Sequence, residues 1–326
     1  FSEPNIVDGV QRILSGTPLY GDREPPPYDT MQYAPLHYYT CALLCVVTGT
    51  HAEDVQAIYI ASRTVSLLTN LLTLWLLWHL GRRLALPAWS RLLWITVLFT
   101  AMHEPYFSRP DGLYLLCCIG LFTTTIRALE EPVTERRMML YAALWGTVAI
   151  FTKQSAVGPL GATGLALLLQ RRWAATGWFV LFTGIASLAA LGLLVLSNGW
   201  QNSYANIVLG NVNGFSMPWF LIVPPELFSG LAFWITPVAL VLGVINVRTK
   251  GRPVDKYLLT GSIVTWGWAF ITGMKNGSNV NYLTEHYILS IPIILLWVRD
   301  AGDHLRTAQL VLISGLVIVL MARCAS

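Results

Sequence analysis

Hydrophobic and polar residues fall along this chain in long alternating blocks. Runs with almost no charge occupy residues 55–80, 92–106, 113–129, 138–151, 157–169, 178–196, 227–247, 257–272, 287–298 and 310–321. Blocks of this kind predict helices that cross a bilayer, because a helix satisfies its own backbone polar groups where no water can. A shorter apolar block, 34–49, starts beside Tyr33, His37, Tyr38 and Tyr39, side chains that suit the headgroup level, so it is expected along the interface or partway in. Before it lies a polar, proline-rich stretch bearing Glu3, Asp8, Asp22, Glu24 and Asp29. The pattern predicts an all-α polytopic membrane protein of about ten transmembrane helices, with an extracytoplasmic first loop bearing short interfacial helices. Residues 1–54 form that loop and residues 55–326 the transmembrane helical domain.

The polar blocks sort into two sets. Arg82-Arg83, Arg136-Arg137, Arg171-Arg172, the cluster Arg248, Lys250, Arg252 and Lys256, and the pair Arg299 and Arg306 fall on alternate loops. Basic loops stay on the cytoplasmic side. The remaining loops, 1–33, 108–112, 152–155, 197–218 and 275–285, then share the opposite face. The first loop starts outside on this reading, so an upstream transmembrane helix is expected before it.

Composition agrees. Of 326 residues, 55% are hydrophobic and 12% charged, against roughly a quarter charged in soluble domains. The net charge of +4 is no nucleic-acid signature, and its arginines sit at the ends of apolar runs. The five cysteines all lie in apolar segments without metal-ligand company and read as small hydrophobes. No cofactor is called for; a divalent metal is compatible with the chemistry below, but no residue cluster indicates one.

The candidate chemistry gathers on the outer face. Glu3 and Asp8, five residues apart, stand on different faces of any helix, yet either carboxylate is placed to act as general base on an acceptor hydroxyl. Arg109 and Asp111, in Ser108-Arg109-Pro110-Asp111-Gly112, suit a local salt bridge or contact with an anionic lipid phosphate. Lys153, in Thr152-Lys153-Gln154-Ser155, stands against the charge bias at a helix end, where a cation needs an anion and a phosphate serves. Asn211 and Asn213 belong to an amide- and aromatic-rich stretch suited either to sugar hydroxyls or to turns. Lys275, Asn281, Tyr282, Glu285 and His286 form the densest polar cluster, at the entrance to a span.

With these residues in view, the chain resembles the C-type membrane glycosyltransferases. The likeness is to bacterial members of the family 39 and family 83 group, relatives of protein mannosyltransferases and of the aminoarabinose transferase of lipid A. It covers nearly the whole chain. It rests on the acid-bearing first loop with Ile13 to Tyr20, on Tyr33-Ala34-Pro35-Leu36-His37-Tyr38 and on Ser62-Arg63. The Ser108–Gly112 and Thr152–Ser155 motifs follow, then Asn211 to Ser216 and Lys275 to Glu285. Their order and shared face are more specific than any one of them. The resemblance implies a polyprenyl-phosphate-linked sugar donor, a lipid, glycan or protein acceptor, and an active site at the outer surface of the plasma membrane. It also implies a first-loop acid as base: Glu3 by its distance from the Gly16–Tyr20 turn, Asp8 second. Arg109, Lys153 and Lys275 are then the candidates for the donor phosphate. Asp111, Gln154, Asn211, Asn213, Asn281, Tyr282, Glu285 and His286 are the candidates for other substrate contacts. The chain departs from many relatives in having Ser2-Glu3 where they carry an Asp-Glu pair, and Tyr33-Ala34 where others carry a Lys before the Pro-Leu pair.

Two other classes compete. A transporter or flippase of envelope lipids predicts charges within spans and an internal repeat of broken helices; no repeat is evident, and the polar clusters gather on one face. A scaffold subunit with a decayed site would not need Glu3, Asp111 and Lys153 together.

Overall fold

The computed structural model describes residues 2–21, 31, 33–101, 107–209, 231–273 and 283–301. The expected last span, 310–321, lies outside them, as do Asp22, Glu24, Asp29, Asn211, Asn213, Lys275, Asn281 and Tyr282.

The described chain is helical. Two short helices come first, α1 (Ser2–Leu14) and α2 (Leu36–Thr48). Then follow α3 (Val55–Arg83), α4 (Ala88–Ala101), α5 (Asp111–Glu130), α6 (Glu135–Ile150), α7 (Val157–Leu169) and α8 (Trp173–Asn198). A short turn, α9 (Trp200–Ser203), runs into a π-helical turn, Tyr204–Val208. Last come α10 (Leu231–Thr249), α11 (Pro253–Gly273) and α12 (Thr284–Asp300). By length and composition α3, α5 and α8 are long and apolar enough to cross a membrane. Within the described residues the apolar blocks thus became helices, with ends shifted by a few residues into the flanking polar ones.

Burial separates the protein-facing from the lipid-facing helices. α5 sits centrally, packed on α3, α6, α11 and α12, and Tyr114 through Phe122 are nearly all shut from solvent. α8 is the reverse: Val180, Leu188 and Leu196 stand out, the last 85% exposed. An apolar helix surface without protein against it is at home only in hydrocarbon.

The first loop packs as a small layer of its own on the end of the bundle. Ile6, Val7 and Val10 of α1 share one buried cluster with Tyr38, Cys41 and Cys45 of α2 and Ile58, Ala61 and Val65 of α3. α2 turns Leu43, Val46 and Val47 outward, so one face meets protein and the other is apolar and exposed. A helix with one face on protein and one apolar face exposed suits either position expected from its sequence, along the interface or partway in. Gly199, at φ +76°, lets the chain break at the end of α8. Residues 200–208, expected as polar loop, are instead helical turns, with Asn206 facing inward. The backbone N–H of Tyr20 donates to Asn198 Oδ1 at 3.1 Å, and that of Met31 to Asn206 Oδ1 at 3.1 Å, which ties the first loop to the end of α8.

The far end of the bundle is laced by ion pairs between helix ends. Arg83 meets Glu130 at 2.8 Å and Glu131 at 2.6 Å, and Arg172 meets Glu135 at 3.2 Å. Arg252 bridges Asp255 and Asp300, Lys250 joins it on Asp300, and Arg299 reaches the carbonyl of Leu84. Arg83, Arg172, Lys250, Arg252 and Arg299 therefore each have a structural partner at this end.

Candidate functional site

The site is built at the end of the bundle that the first loop covers. α3 prepares the ground. Its residues Ser62, Ser66, Thr69, Asn70 and Thr73 are buried along one stripe of an otherwise apolar helix. Most of these hydroxyls bond back to their own helix, and two reach across to the 108–112 turn. Ser66 Oγ lies 3.2 Å from both the N–H and the carbonyl of Arg109, and Thr73 Oγ1 donates to the Gly112 carbonyl at 3.4 Å. Gly112 fits because it has no side chain: a Cβ there would come within 2.6 Å of Asn70 Oδ1 and 2.8 Å of Thr69 Oγ1. Gly112→Ala is therefore expected to destabilise the protein by about 1–3 kcal/mol, the usual cost of overpacking. Thermal unfolding in detergent checks it, with Asn70→Ala expected to restore part of the loss.

Pro110 and Asp111 then start α5 as helix chemistry prefers, a proline at the boundary and an acid in the first turn. α6 ends at Ile150, and the Lys153 N–H still bonds to the Ala149 carbonyl at 2.8 Å before the backbone turns extended. That turn aims Lys153 Nζ at Asp111 Oδ1, 2.6 Å away. The lysine side chain is 10% exposed and its ammonium also faces the Tyr114 ring, 5.6 Å from the centroid. Trp268 of α11 donates to the Ser155 carbonyl at 3.0 Å and holds the turn from the other side.

Glu3 reaches the same region from α1. Its carboxylate takes both arms of Arg63, at 3.0 and 2.9 Å, and the N–H of Ser108 at 2.7 Å. Burial pushes its carboxyl up, but the Arg63 hydrogen bonds and the Ser108 N–H, helped by the charges of Arg63 and Arg109, hold it below the ordinary 4.5. Arg63 itself stands over the rings of Tyr59 and Phe107, at 5.8 and 5.5 Å.

These groups form one line of alternating charge. Arg63 pairs with Glu3, Glu3 feels Arg109, Arg109 feels Asp111, Asp111 pairs with Lys153, and Lys153 feels Glu285 at the start of α12. Four helices and two turns contribute to it, and neighbours in it are of opposite sign throughout. Such a line is mutually supporting at the edge of a low-dielectric bundle, where a lone charge would be costly.

Of the residues singled out from sequence, Glu3, Arg109, Asp111, Lys153 and Glu285 are brought together here. Gln154 opens the turn next to Lys153 and is half-buried. Asp8 takes another partner, Arg12, at 3.2 Å on the exposed side of α1. His286 is fully buried between helices: Nδ1 meets the Ser262 carbonyl at 3.0 Å and Nε2 meets Thr236 Oγ1 at 2.9 Å. It cross-links α12 to α10 and α11, with both ring nitrogens occupied. Among the described residues, no group of three His, Cys, Asp or Glu is arranged to hold a metal ion.

Sequence reading missed several contributors. His37, buried on α2, faces Asp111 electrostatically. Tyr114 lies one turn after Asp111, hence on its face of α5. The polar stripe of α3 was visible as hydroxyls and an amide at helical spacing within a span, a pattern that marks an inward face.

No protein-family model matches the chain, and no curated protein matches it in sequence. Its fold has solved counterparts in ArnT from Cupriavidus metallidurans. The crystal structure of that protein bound to undecaprenyl phosphate aligns with a TM-score of 0.62 and 14% identity, over 94% of this chain and 58% of ArnT. The apo crystal structure aligns with a TM-score of 0.63 and 14% identity, over 95% of this chain and again 58% of ArnT. The chain thus spans 58% of the length of the structures it matches. At this identity the likeness speaks for architecture, and on that point it is plain: the chain has the all-α polytopic membrane fold of ArnT, the fold expected from its resemblance to the C-type membrane glycosyltransferases.

Proposed function

We propose that the chain carries the catalytic end of a membrane glycosyltransferase, which moves a sugar from a polyprenyl-phosphate donor to a lipid, glycan or protein acceptor. The observation that carries this reading is the Asp111–Lys153 pair. It is a nearly buried ammonium at a helix end, within a line of alternating charge, in the fold of a protein solved with undecaprenyl phosphate. An acceptor oxygen attacks the anomeric carbon and the bond from that carbon to the phosphate oxygen breaks. The lipid phosphate leaves with the electron pair, and the acceptor proton passes to a carboxylate. Lys153 and Arg109 take the departing phosphate, because fixed cations stabilise charge where it develops. Glu3, one neighbour from Arg109, is the base, and Asp8 its support. Lys275 joins the phosphate contacts, and Asn211, Asn213, Gln154, Asn281 and Tyr282 the substrate contacts, on sequence grounds alone.

In this reading residues 1–54 roof the site over a helical domain from 55 onward, and the roof faces away from the cytoplasm in the plasma membrane. The lipid tail of the donor explains why the charges sit beside spans rather than in a soluble domain. Supplying polyprenyl-phosphate sugars to the purified protein and following sugar release by mass tests the activity; no release with any donor would sink it. Orientation has its own test. A cysteine at Glu53, exposed in the turn before α3, should react with an impermeant thiol reagent added outside, while one at Thr249 should not. The reverse pattern would overturn the placement of the site.

A further inference from the structure

At one end of the charge line the pairing stops. Arg63, the other terminal member, is half-exposed. Glu285 has no such outlet: it is 4% exposed, and its Oε2 has no hydrogen-bond partner. Its neighbours share the problem. Tyr114 is 1% exposed with its hydroxyl unpartnered, and the Ser155 hydroxyl is likewise buried without a partner. The Tyr114 hydroxyl is near enough to the Glu285 carboxyl and the Ser155 hydroxyl to interact with both, but none of the three atoms has a hydrogen bond of ordinary geometry. Buried polar atoms are nearly always satisfied, and a carboxylate oxygen left open costs more than a neutral one. Three such atoms from three separate elements, α12, α5 and the turn after α6, line up beside the ammonium that would hold the donor phosphate.

We propose that Glu285, Tyr114 and Ser155 form a recognition wall for hydroxyl groups of the transferred sugar. This rests on the donor reading above and assigns one part of the substrate to a particular set of side chains. The sugar is the part of the donor next to the phosphate, so a wall beside Lys153 is where its ring must lie. Glu285 Oε2 accepts from a ring hydroxyl. The Tyr114 and Ser155 hydroxyls each donate to or accept from a neighbouring one, which suits a polyhydroxylated ring and offers nothing to a bare lipid phosphate. A site of this kind discriminates strongly, because a sugar lacking the matching hydroxyl leaves the buried carboxylate open again.

The test compares two probes on the protein in lipid nanodiscs: undecaprenyl phosphate itself, and the best-bound member of a panel of undecaprenyl-phosphate-linked neutral hexoses and pentoses. Glu285→Gln, which takes an anion away from Lys153, and Tyr114→Phe, which keeps the ring, should not weaken the affinity for undecaprenyl phosphate, and each should weaken the sugar-bearing probe about ten- to a hundredfold. Within a series of monodeoxy versions of that sugar, one should bind wild type and Glu285→Gln equally, which marks the hydroxyl that Glu285 reads. Parallel weakening of both probes would mean that Glu285 acts on the phosphate through Lys153 and would overturn the wall. Unchanged binding of the sugar probe in both variants would overturn it too, as would a wild type that holds no sugar donor more tightly than undecaprenyl phosphate. A wild type that binds neither probe brings down the donor reading as well, so the two failures are distinct.

Discussion

Lys153→Gln is expected to lower turnover by about 10²–10³-fold, the usual loss when a preorganised group that stabilises transition-state charge is removed. Donor affinity should fall by about ten- to a hundredfold, since a charge-assisted contact to the phosphate goes with it. The geometry behind this is an ammonium shut between Asp111 and the Tyr114 ring, with little solvent to replace either. The same geometry creates a second effect. Removing the cation strands Asp111, and breaking a buried ion pair costs about 3–5 kcal/mol, so a folding defect must be separated from a chemical one. The double variant Lys153→Gln with Asp111→Asn does that: it should recover most of the lost thermal stability and remain inactive. Lys153→Arg keeps the charge with the wrong shape and should retain a fraction of donor affinity. Donor affinity unchanged in a folded Lys153→Gln protein would move the phosphate to Arg109 or Lys275.

Glu3→Gln should reduce turnover by about 10²–10⁴-fold with donor binding nearly intact, the behaviour of a lost general base that acts on the acceptor. The structure adds a competing demand on this residue, because both its oxygens are engaged by Arg63 and the Ser108 N–H. For Glu3 to accept a proton, an acceptor hydroxyl must replace one of those donors. Arg63→Gln therefore separates the roles. If Glu3 only anchors α1 to α3, the two variants should be equally impaired; if it is the base, Arg63→Gln should keep far more turnover than Glu3→Gln. Full turnover in Glu3→Gln with none in Asp8→Asn would exchange the two acids. The pH dependence has a defined sign. The Glu3 carboxyl is held below its ordinary 4.5 in the folded protein, so its stabilising contribution is present above that value. It is lost as pH falls through the lower folded value. The tie between α1 and α3 should thus stay constant through neutral and mildly acidic pH and loosen only in strong acid, as followed by protection of α1 from hydrogen exchange.

How far the site was legible in sequence varies by residue. Lys153 and Asp111 were visible because each is a charge at the edge of an apolar block, where membrane helices rarely carry one without reason. Their partnership was not visible, since 42 residues separate them and the contact depends on how α5 and α6 pack. Glu3 was visible as an acid in an acid-bearing loop; its engagement by Arg63, 60 residues away, was not. His286 shows the opposite case. Its neighbours in the sequence made it look like part of a binding cluster, yet the rotation of about 100° per helical residue turns it into the core, where Thr236 and Ser262 occupy both nitrogens.

What the sequence determined by itself is the kind of molecule: a bundle of apolar helices, capped at one end by a polar first loop. Block hydrophobicity is a local property, and in a bilayer it leaves the backbone one economical solution. The tertiary structure alone decided which face of each helix meets protein and which meets lipid, because the membrane-spanning helices are apolar nearly all round and carry weak periodicity. It also decided which charge neutralises which. Glu3, Arg109, Asp111, Lys153 and Glu285 come from four separate stretches of chain, and their order in space follows from helix packing, to which sequence spacing is blind. Burial then did the rest: by removing water around Lys153 it made its pairing with Asp111 obligatory, and it left Glu285 Oε2 without a hydrogen bond of ordinary geometry.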